Sequence, residues 1–325
     1  MVKAIVVHEH GGPETLKWED VDVGVPGPGR ARIRHAAIGL NFVDVYYRTG
    51  LYKPAAGLPF IPGGEGAGTV LAVGPDVTNV SPGDRITYTG PNGAYCEERL
   101  IAADRLVRLP DGIDFHTAAA MTLKGLTAQY LLRRTYPLQS GETILFHAAA
   151  GGVGLIACQW AKHLGATVIG TVGSEAKAEL ARAHGCDHVI NYRTENFVER
   201  VSEITGGRKC NVVYDSVGRD TFPASLDCLR PLGMWVLFGQ SSGTIENFDL
   251  NILAQKGSLF TTRPTLFNYA AARDSLEKMA AELMEVVGNG HVKIAINQEF
   301  ALRDAAEAHR ALEGRRTTGA TVLIP

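Results

Sequence analysis

The chain has 325 residues, of which 45% are hydrophobic and 20% are charged, the composition of an ordinary globular protein. Its 32 basic and 34 acidic residues leave a net charge of −2 without a long run of either sign. This balance argues against a nucleic-acid-binding surface or a basic patch for acidic membranes. The length predicts two domains rather than one.

The N-terminal sequence and the cysteines restrict the compartment. The apolar run in MVKAIVVHEHGG is too short for a secretory signal, and we predict no transmembrane span. The five cysteines are widely spaced and include no CxxC pair, so neither a disulfide framework nor a zinc knuckle is indicated. Buried thiols in a reducing compartment are the simplest explanation, and we expect a cytoplasmic protein.

The first 124 residues predict a β-rich region. Short segments such as Ala31–Ile38 and Gly68–Val73 are separated by turns rich in proline and glycine at 26–29, 73–77 and 81–84.

The middle of the chain alternates strands and helices. Strands are predicted at Ile144–Phe146, Thr167–Thr171, His188–Asn191, Asn211–Asp215, Met234–Phe238 and Ser258–Thr262, with helices up to Leu164 and over Glu175–His184 and Glu195–Ile204. This alternation predicts βαβ units with right-handed crossovers, and therefore a doubly wound parallel sheet.

After Pro264 the alternation ends. The remaining sequence predicts helices over Ala271–Val287 and Leu302–Glu313 and strands at Ile296–Phe300 and Ala320–Ile324. We therefore predict an α/β protein in which a nucleotide-binding domain, 125–266, is inserted into a β-rich domain formed by 1–124 and 267–325. A cleft between the two domains is the expected ligand site.

A glycine-rich turn, Ala148–Gly154, joins the first central strand to its helix. Its glycines allow a close approach of the backbone, and the helix N-terminus offers N–H groups to a pyrophosphate. Tight packing alone would also explain the glycines, but a strand before them and several βα units after them favour a dinucleotide site. The residues assigned to it are Ala150, Gly151, Gly152 and Val153.

The tip of the second central strand indicates which dinucleotide binds. NAD-specific sites usually place an acid there for the ribose 2′-hydroxyl, whereas this strand is followed by Gly173 and Ser174. Lys177 in the next helix and Tyr192 after the third strand suit a 2′-phosphate, which predicts NADPH. The nearby Glu175 weighs against this interpretation, and a solvated helix lysine is the alternative for Lys177.

The sequence resembles the quinone oxidoreductase/ζ-crystallin branch of the medium-chain dehydrogenases over essentially the whole chain. The segments that carry the resemblance are NFVDVYYRTG (41–50), KGLTAQYLL (124–132), GETILFHAAAGGVGLIACQWAK (141–162), VVYDSVG (212–218), GSLFTTRPTL (257–266) and the terminal RRTTGATVLIP. It implies a GroES-like catalytic domain, a Rossmann domain, a homodimer and NADPH.

The resemblance also implies which residues contact the cofactor. Those matching Ser174, Lys177 and Tyr192 surround the 2′-phosphate. A larger set of matching residues lies along the nicotinamide half of the cofactor. In this sequence these residues are Asn41, Tyr46, Thr127, Phe238, Gly239, Gln240, Ser241, Arg263, Pro264, Thr265 and Arg315. Gly173 and Ser216 complete the predicted cofactor set.

Zinc-dependent relatives hold a metal with Cys, His and a further Cys or acid. In the resemblance, their first ligand cysteine matches Asn41 and their histidine matches Gly64. The four-cysteine structural lobe is also missing, since 85–105 contains only Cys96. Glu65 remains from the pattern, and a hydrogen bond to backbone explains it equally well. We predict no metal site.

Without a Lewis acid, a quinone is a suitable hydride acceptor because aromatisation drives its reduction. The enzyme then mainly has to hold the nicotinamide against the quinone and exclude water. Tyr46, Tyr47 and Tyr52 beside Asn41 suit this task, and half-buried packing is the alternative for each tyrosine. The candidate catalytic residues are Asn41, Tyr46 and Tyr52. We predict an NADPH-dependent quinone reductase that uses neither zinc nor flavin.

Two other functions remain open. An NADPH-dependent enone or alkenal double-bond reductase would use the same hydride donor, while some ζ-crystallin relatives are lens proteins or bind RNA. The scattered histidines His10, His35, His116 and His147 are expected to be structural. A homodimer through the Rossmann domain is predicted because one of the segments 234–239 and 257–262 should form an uncovered sheet edge.

Overall fold

In the computed structural model, which describes residues 1–325, strands and helices follow the sequence periodicities closely. The strands are β1 (Val2–Val7), β2 (Leu16–Val21), β3 (Arg30–Leu40), β4 (Glu65–Val73), β5 (Arg85–Thr89), β6 (Glu98–Ala102), β7 (Leu106–Arg108), β8 (Thr143–Phe146), β9 (Thr167–Val172), β10 (His188–Asn191), β11 (Cys210–Asp215), β12 (Leu229–Leu237), β13 (Phe260–Thr262), β14 (Ile296–Ala301) and β15 (Ala320–Ile324). The helices are α1 (Phe42–Arg48), α2 (Phe115–Tyr130), α3 (Gly152–His163), α4 (Glu175–Ala183), α5 (Phe197–Thr205), α6 (Ala224–Asp227), α7 (Asn251–Gln255), α8 (Leu266–Tyr269), α9 (Arg273–Gly288) and α10 (Ala305–Glu313).

The chain divides into two units. The first comprises Met1–Lys124, Ala272–Ala281 and Ile294–Pro325, and the second comprises Gly125–Ala271 and Glu282–Lys293. The second unit thus includes 282–293, a segment predicted from the sequence to belong to the β-rich domain. Packing explains the difference, because Gln129 donates to Glu282 at 3.1 Å and Leu283 lies against Gly125. The domain boundaries drawn from the sequence stay a prediction.

The first unit is built on a seven-stranded sheet with the order β14-β15-β3-β4-β5-β7, in which β6 also pairs with β3. Strand β3 shows the reason for its position. Ala31 and Ile33 are fully buried on one face, while Arg32 and Arg34 on the other face pair with Glu98. This alternation gives the sheet one core face and one polar face.

The second unit contains six parallel strands in the order β10-β9-β8-β11-β12-β13, which confirms the predicted doubly wound sheet. The chain starts in the middle at β8, runs to one edge through β9 and β10, and then fills the other side from β11. The order in which the chain adds strands therefore reverses between β8 and β11. Ligands of such sheets bind at the carboxyl ends of the strands at this point.

The short helices α1, α6, α7 and α8 were not predicted, and two longer elements also differ from the sequence prediction. Helix α2 begins at Phe115, inside the region expected to be β-rich, and its residues Ala118–Met121 are all fully buried. A helix buried on every side has no amphipathic pattern that would reveal it. Strand β12 begins at Leu229, before the predicted Met234. None of the helices combines the length and apolar character needed to cross a bilayer.

Candidate functional site

The glycine turn of the second unit is shaped for close approach of a ligand. Helix α3 starts at Gly152, and its N-cap, Gly151, provides no side-chain cap. The first-turn N–H groups have no intrahelical partner and are directed outward. A Cβ at Gly154 would lie 2.5 Å from the carbonyl oxygens of Ala148 and Ala149, so the packing at this position requires glycine. This arrangement fits a pyrophosphate.

The tip of β9 carries no acid, as the sequence predicts. Ser174 caps α4 by accepting a hydrogen bond from the Lys177 backbone N–H at 3.4 Å. Tyr192 lies over Gly173, where an added Cβ would be 2.5 Å from the tyrosine hydroxyl. Glu175 is bonded to Arg182 at 2.8 Å on the helix surface. Glycine, serine, lysine and tyrosine are thus placed around the strand tip.

The loops after β11 and β12 are joined to each other. The Asp215 carbonyl accepts from the backbone N–H of Phe238 at 2.8 Å and of Gly239 at 3.3 Å. The Ser241 N–H donates to the Ser216 carbonyl at 3.1 Å. Ser216 and the segment 238–241, which both belong to the predicted cofactor set, are therefore neighbours at one end of the sheet.

Beneath these loops lies a buried polar network that begins at the end of β9. His147 is bonded through Nδ1 to the Thr171 hydroxyl at 2.9 Å and through Nε2 to the Ser225 hydroxyl at 3.0 Å. Ser225 donates to Asp215 at 3.0 Å. Burial lowers the pKa of His147, which keeps its imidazole neutral.

Asp215 is the acceptor of this network. One carboxylate oxygen accepts from the backbone N–H groups of Val217 at 2.8 Å and Gly218 at 3.1 Å. The other accepts from Thr221 and Trp235 as well as from Ser225. Five donors therefore converge on a fully buried carboxylate.

In the first unit, Asn41 is tied to an internal ion pair. Its side-chain Nδ2 donates to Glu65 Oε2 at 2.8 Å and to the Gly39 carbonyl at 3.3 Å. The same Glu65 oxygen accepts from Lys124 Nζ at 2.9 Å, and Glu65 Oε1 accepts from the Leu123 backbone N–H. The backbone hydrogen bond predicted as one explanation of Glu65 is thus present, and Glu65 also holds the Asn41 side chain, which the sequence did not indicate.

The three predicted tyrosines form an aromatic cluster on and after α1. The rings of Tyr46 and Tyr52 meet edge to face with centroids 5.2 Å apart, and those of Tyr47 and Tyr52 are 5.8 Å apart. Tyr46 is buried, whereas Tyr52 is half-buried. Of the two candidate catalytic tyrosines, Tyr52 has more ring surface left for a substrate.

A second chain of polar groups lies behind α1. Asp44 Oδ2 accepts from the Asn41 backbone N–H at 2.9 Å and from the Tyr95 hydroxyl at 3.0 Å, while its Oδ1 is buried without a partner. His309 Nε2 lies 3.1 Å from the Tyr95 hydroxyl, and Arg48 reaches the other ring nitrogen at 3.3 Å. Burial raises the pKa of Asp44 to about 7 and lowers that of His309 to about 3.

The remaining predicted residues are divided between the units. Thr127 lies in α2, and Arg263, Pro264 and Thr265 directly follow β13, all in the second unit. Arg315 lies in the first unit between α10 and β15, with a left-handed φ of 57°. Asn41, Tyr46 and Tyr52 also belong to the first unit.

No group of three or more His, Cys, Asp or Glu side chains is arranged to hold a metal ion. At Gly64, which matches the ligand histidine of the zinc relatives, an added Cβ would lie 3.0 Å from the Gly90 carbonyl oxygen. A side chain at this position would require the neighbouring backbone to move.

Comparison with known proteins identifies the family. Residues 27–136 match the alcohol dehydrogenase GroES-like domain, and residues 152–291 match a family described as zinc-binding dehydrogenase. Over 100% of both chains, the sequence is 58% identical to a quinone oxidoreductase of Pseudomonas aeruginosa. The chain belongs to the quinone oxidoreductase family. This confirms the predicted family, with a GroES-like domain and a Rossmann domain.

Two other proteins are similar to this member of the quinone oxidoreductase family over nearly its whole length. The structure of Escherichia coli quinone oxidoreductase complexed with NADPH matches with a TM-score of 0.97 and 49% identity, covering 99% of this chain and 100% of the other. A 2-haloacrylate reductase of a Burkholderia species is 47% identical over 100% of this chain and 99% of its own.

Several polar residues at the site received no role from the sequence. Lys124 begins the segment KGLTAQYLL, and its apolar surroundings in the helix could have indicated a buried lysine that needs a partner. Thr171 and Ser225 offered no such signal, because a hydroxyl side chain is common in every kind of element. His147 was expected to be structural, and its position at a strand end was the only local indication of its network.

Proposed function

We propose that this protein is an NADPH-dependent quinone reductase that transfers a hydride to a quinone and needs neither zinc nor flavin. The observation that carries the proposal is the full-length similarity to quinone oxidoreductases, one of which was solved with NADPH. The acid-free strand tip at Gly173 and Ser174 supports the phosphorylated cofactor.

The residues of the second unit would bind the cofactor. The first-turn N–H groups of α3, from Gly152 onward, would hold the pyrophosphate. Lys177 and the Tyr192 hydroxyl would recognise the 2′-phosphate, which needs charge-assisted donors. Ser216, the segment 238–241 and Arg263–Thr265 would line the nicotinamide half together with Thr127.

The residues of the first unit would position the acceptor. NADPH, when bound, supplies the hydride. Asn41, held by Glu65, and Tyr46 would form the wall beside the nicotinamide, and Arg315 would reach the same half of the cofactor. The half-buried ring of Tyr52 would contact the quinone. Water can protonate the hydroquinone oxygens, so no side chain is assigned as an obligatory acid.

The proposal that the enzyme needs no zinc is supported by the residues that match the zinc ligands of the zinc-dependent relatives. Asn41 donates its amide hydrogens to Glu65 and Gly39, and Gly64 has no side chain. We expect elemental analysis to find no stoichiometric zinc and chelators to leave activity unchanged. Zinc that is lost together with activity would contradict this part.

Steady-state kinetics test the proposed activity. NADPH and NADH are each assayed as hydride donors against naphthoquinone, phenanthrenequinone, benzoquinone and alkenals, and NADP⁺ is assayed as the acceptor with primary alcohols. We expect the highest catalytic efficiency with NADPH and a quinone, and no oxidation of primary alcohols with NADP⁺. Efficient alcohol oxidation would contradict the proposal.

A double-bond reductase is the second candidate, favoured by the similarity to a 2-haloacrylate reductase. Both activities need hydride delivery to an electron-poor acceptor, so the fold does not separate them. Adding 2-chloroacrylate and an enone to the acceptor panel does so. Higher catalytic efficiency with these substrates than with every quinone would favour this alternative.

We also propose a homodimer formed through the Rossmann domain and a cytoplasmic location. Strand β13 is a sheet edge, and apolar side chains are exposed beside it, with Phe260 at 56% and Leu250 at 69%. An uncovered apolar edge favours pairing with a second copy. The five unpaired cysteines suit a reducing compartment. Light scattering at micromolar concentration and cell fractionation test the two statements.

A further inference from the structure

Three adjacent strands of the second unit end on one hydrogen-bonded network. Thr171 is near the end of β9, His147 follows β8, and Asp215 is the last residue of β11. Ser225, on the short helix α6, connects His147 to Asp215. All four side chains are at most 1% exposed, so the network has no contact with solvent.

The direction of every bond in this network is fixed. The Asp215 carboxylate only accepts, so the Ser225 hydroxyl must donate to it and accept from His147 Nε2–H. His147 Nδ1 then carries no proton and accepts from the Thr171 hydroxyl. Removing one hydroxyl would leave its partner buried and unsatisfied, and the remaining members would have to rearrange to compensate.

Each strand end in the network leads into a different binding loop. Thr171 precedes Gly173 and Ser174, at the proposed 2′-phosphate site. His147 precedes the glycine turn at the proposed pyrophosphate site. Asp215 precedes Ser216 and, through Val217 and Gly218, fixes the backbone of the third loop.

We propose that Thr171, His147, Ser225 and Asp215 are positioning residues that set the three cofactor-binding loops at the spacing of one dinucleotide. This inference rests on the proposed function, because it takes NADPH as the ligand of those loops. None of the four side chains is assigned a contact with the cofactor. Their effect on binding would come from the relative placement of the loops, where small displacements are costly.

Two shape-conserving variants test the proposal, Ser225→Ala in the middle of the network and Thr171→Val at its end. Isothermal titration calorimetry measures the Kd of NADPH and of adenosine 2′-monophosphate, a fragment that reaches only the loop after β9. We expect Ser225→Ala to weaken NADPH binding roughly 5- to 30-fold, in the range of typical coupling between sites. The fragment should bind Ser225→Ala within about twofold of the wild type, since a single loop needs no spacing to its neighbours. Thr171→Val should also weaken NADPH binding.

Thr205→Val is the matched control. Thr205 is also buried in the same unit, with 5% of its surface exposed, and its hydroxyl donates to the Val201 carbonyl at 2.7 Å, but it lies outside the network at the end of α5. This variant should lose stability without losing NADPH affinity. All measurements are made where circular dichroism shows each variant folded.

The outcomes separate this inference from the proposed function. If both variants bind NADPH with the same affinity as the wild type, the positioning role is overturned and the proposed function is not. Equal weakening of NADPH and the fragment by Ser225→Ala would also overturn it, because the effect would then be local. A wild-type protein that does not bind NADPH would overturn the proposed function and this inference with it.

Discussion

The two units each bury an aspartate carboxylate, and they do so in opposite ways. Asp215 in the second unit receives five hydrogen bonds, two of them from backbone N–H groups. Asp44 in the first unit receives two, and its Oδ1 has no partner. Both side chains are completely buried. The difference therefore lies in the number of donors and not in burial.

The comparison shows what each carboxylate is suited for. Five donors from the loop, helix and strand around it hold the Asp215 carboxylate in place, so this carboxylate can organise a rigid network. For Asp44, desolvation is the largest effect and exceeds the help from Asn41, Tyr95 and Lys124, while Glu65 acts in the same direction as burial. Its pKa near 7 makes the first unit sensitive to pH in the physiological range.

The largest expected effect comes from Asp215→Asn. An amide group would direct N–H donors at a site already filled by donors, so two or more buried groups would lose their acceptor. We expect the free energy of unfolding to fall by about 3–5 kcal/mol. Urea denaturation followed by circular dichroism measures it. A loss below about 1 kcal/mol would mean that the five-donor arrangement contributes no more than an ordinary surface group.

Asp44→Asn, in contrast, should raise the free energy of unfolding relative to the wild type above neutral pH. The folded pKa of Asp44 lies above its unfolded value, so the folded state holds a proton that the unfolded state has lost between about pH 4 and 7. Wild-type stability relative to Asp44→Asn should therefore fall by about 1.4 kcal/mol per pH unit as pH rises through this range.

Measuring both proteins at pH 5 and pH 7 isolates the Asp44 contribution. The buried histidines His35, His147 and His309 have lowered pKa values and change stability in the other direction, but they are common to both proteins. A stability difference that does not change with pH would show that Asp44 is ionised throughout.

Lys177→Ala tests the assignment of cofactor recognition to the second unit. A charge-assisted bond to the 2′-phosphate is worth about 1.5–3 kcal/mol, so kcat/KM with NADPH should fall roughly ten- to hundredfold. With NADH it should change little, because no phosphate is left unpaired. Raised salt should weaken NADPH binding more than NADH binding. Equal losses with both cofactors would make Lys177 a structural residue.

Tyr52→Phe tests the assignment of acceptor contacts to the first unit, with the smallest expected effect. The ring and its contact with Tyr46 are retained, and only the hydroxyl is lost. We expect the ratio of kcat/KM values between different quinones to change by about threefold, which corresponds to the loss of a single neutral hydrogen bond. The value of kcat should change little. Losses of several thousandfold with every quinone would identify Tyr52 as a general acid.

Local sequence patterns were sufficient for most of the fold. The strand, glycine turn and helix around Ala148–Gly154 are encoded within about twenty residues, and the parallel sheet follows from repeating that pattern. The burial of α2 could not be read in the same way, because Ala118–Met121 show no polar face. Tertiary packing decides its position.

The polar partners at the candidate site could not be predicted because they are distant in the chain. His147 and Ser225 are 78 residues apart, and Glu65 and Lys124 are 59 apart. A single sequence shows which side chains need partners but not which residues the fold brings to them. The glycine turn, the acid-free strand tip and the tyrosine cluster were visible because each lies within one short segment.

The unequal distribution of cysteines allows the opening of each unit to be measured separately. All five thiols are unpaired and buried, with Cys96 in the first unit and the other four in the second. A thiol reagent can modify such a residue only when the surrounding structure opens. Timed alkylation of the unmodified protein, followed by peptide mass analysis, would therefore record how often each unit opens. The protein carries its own labels for that measurement.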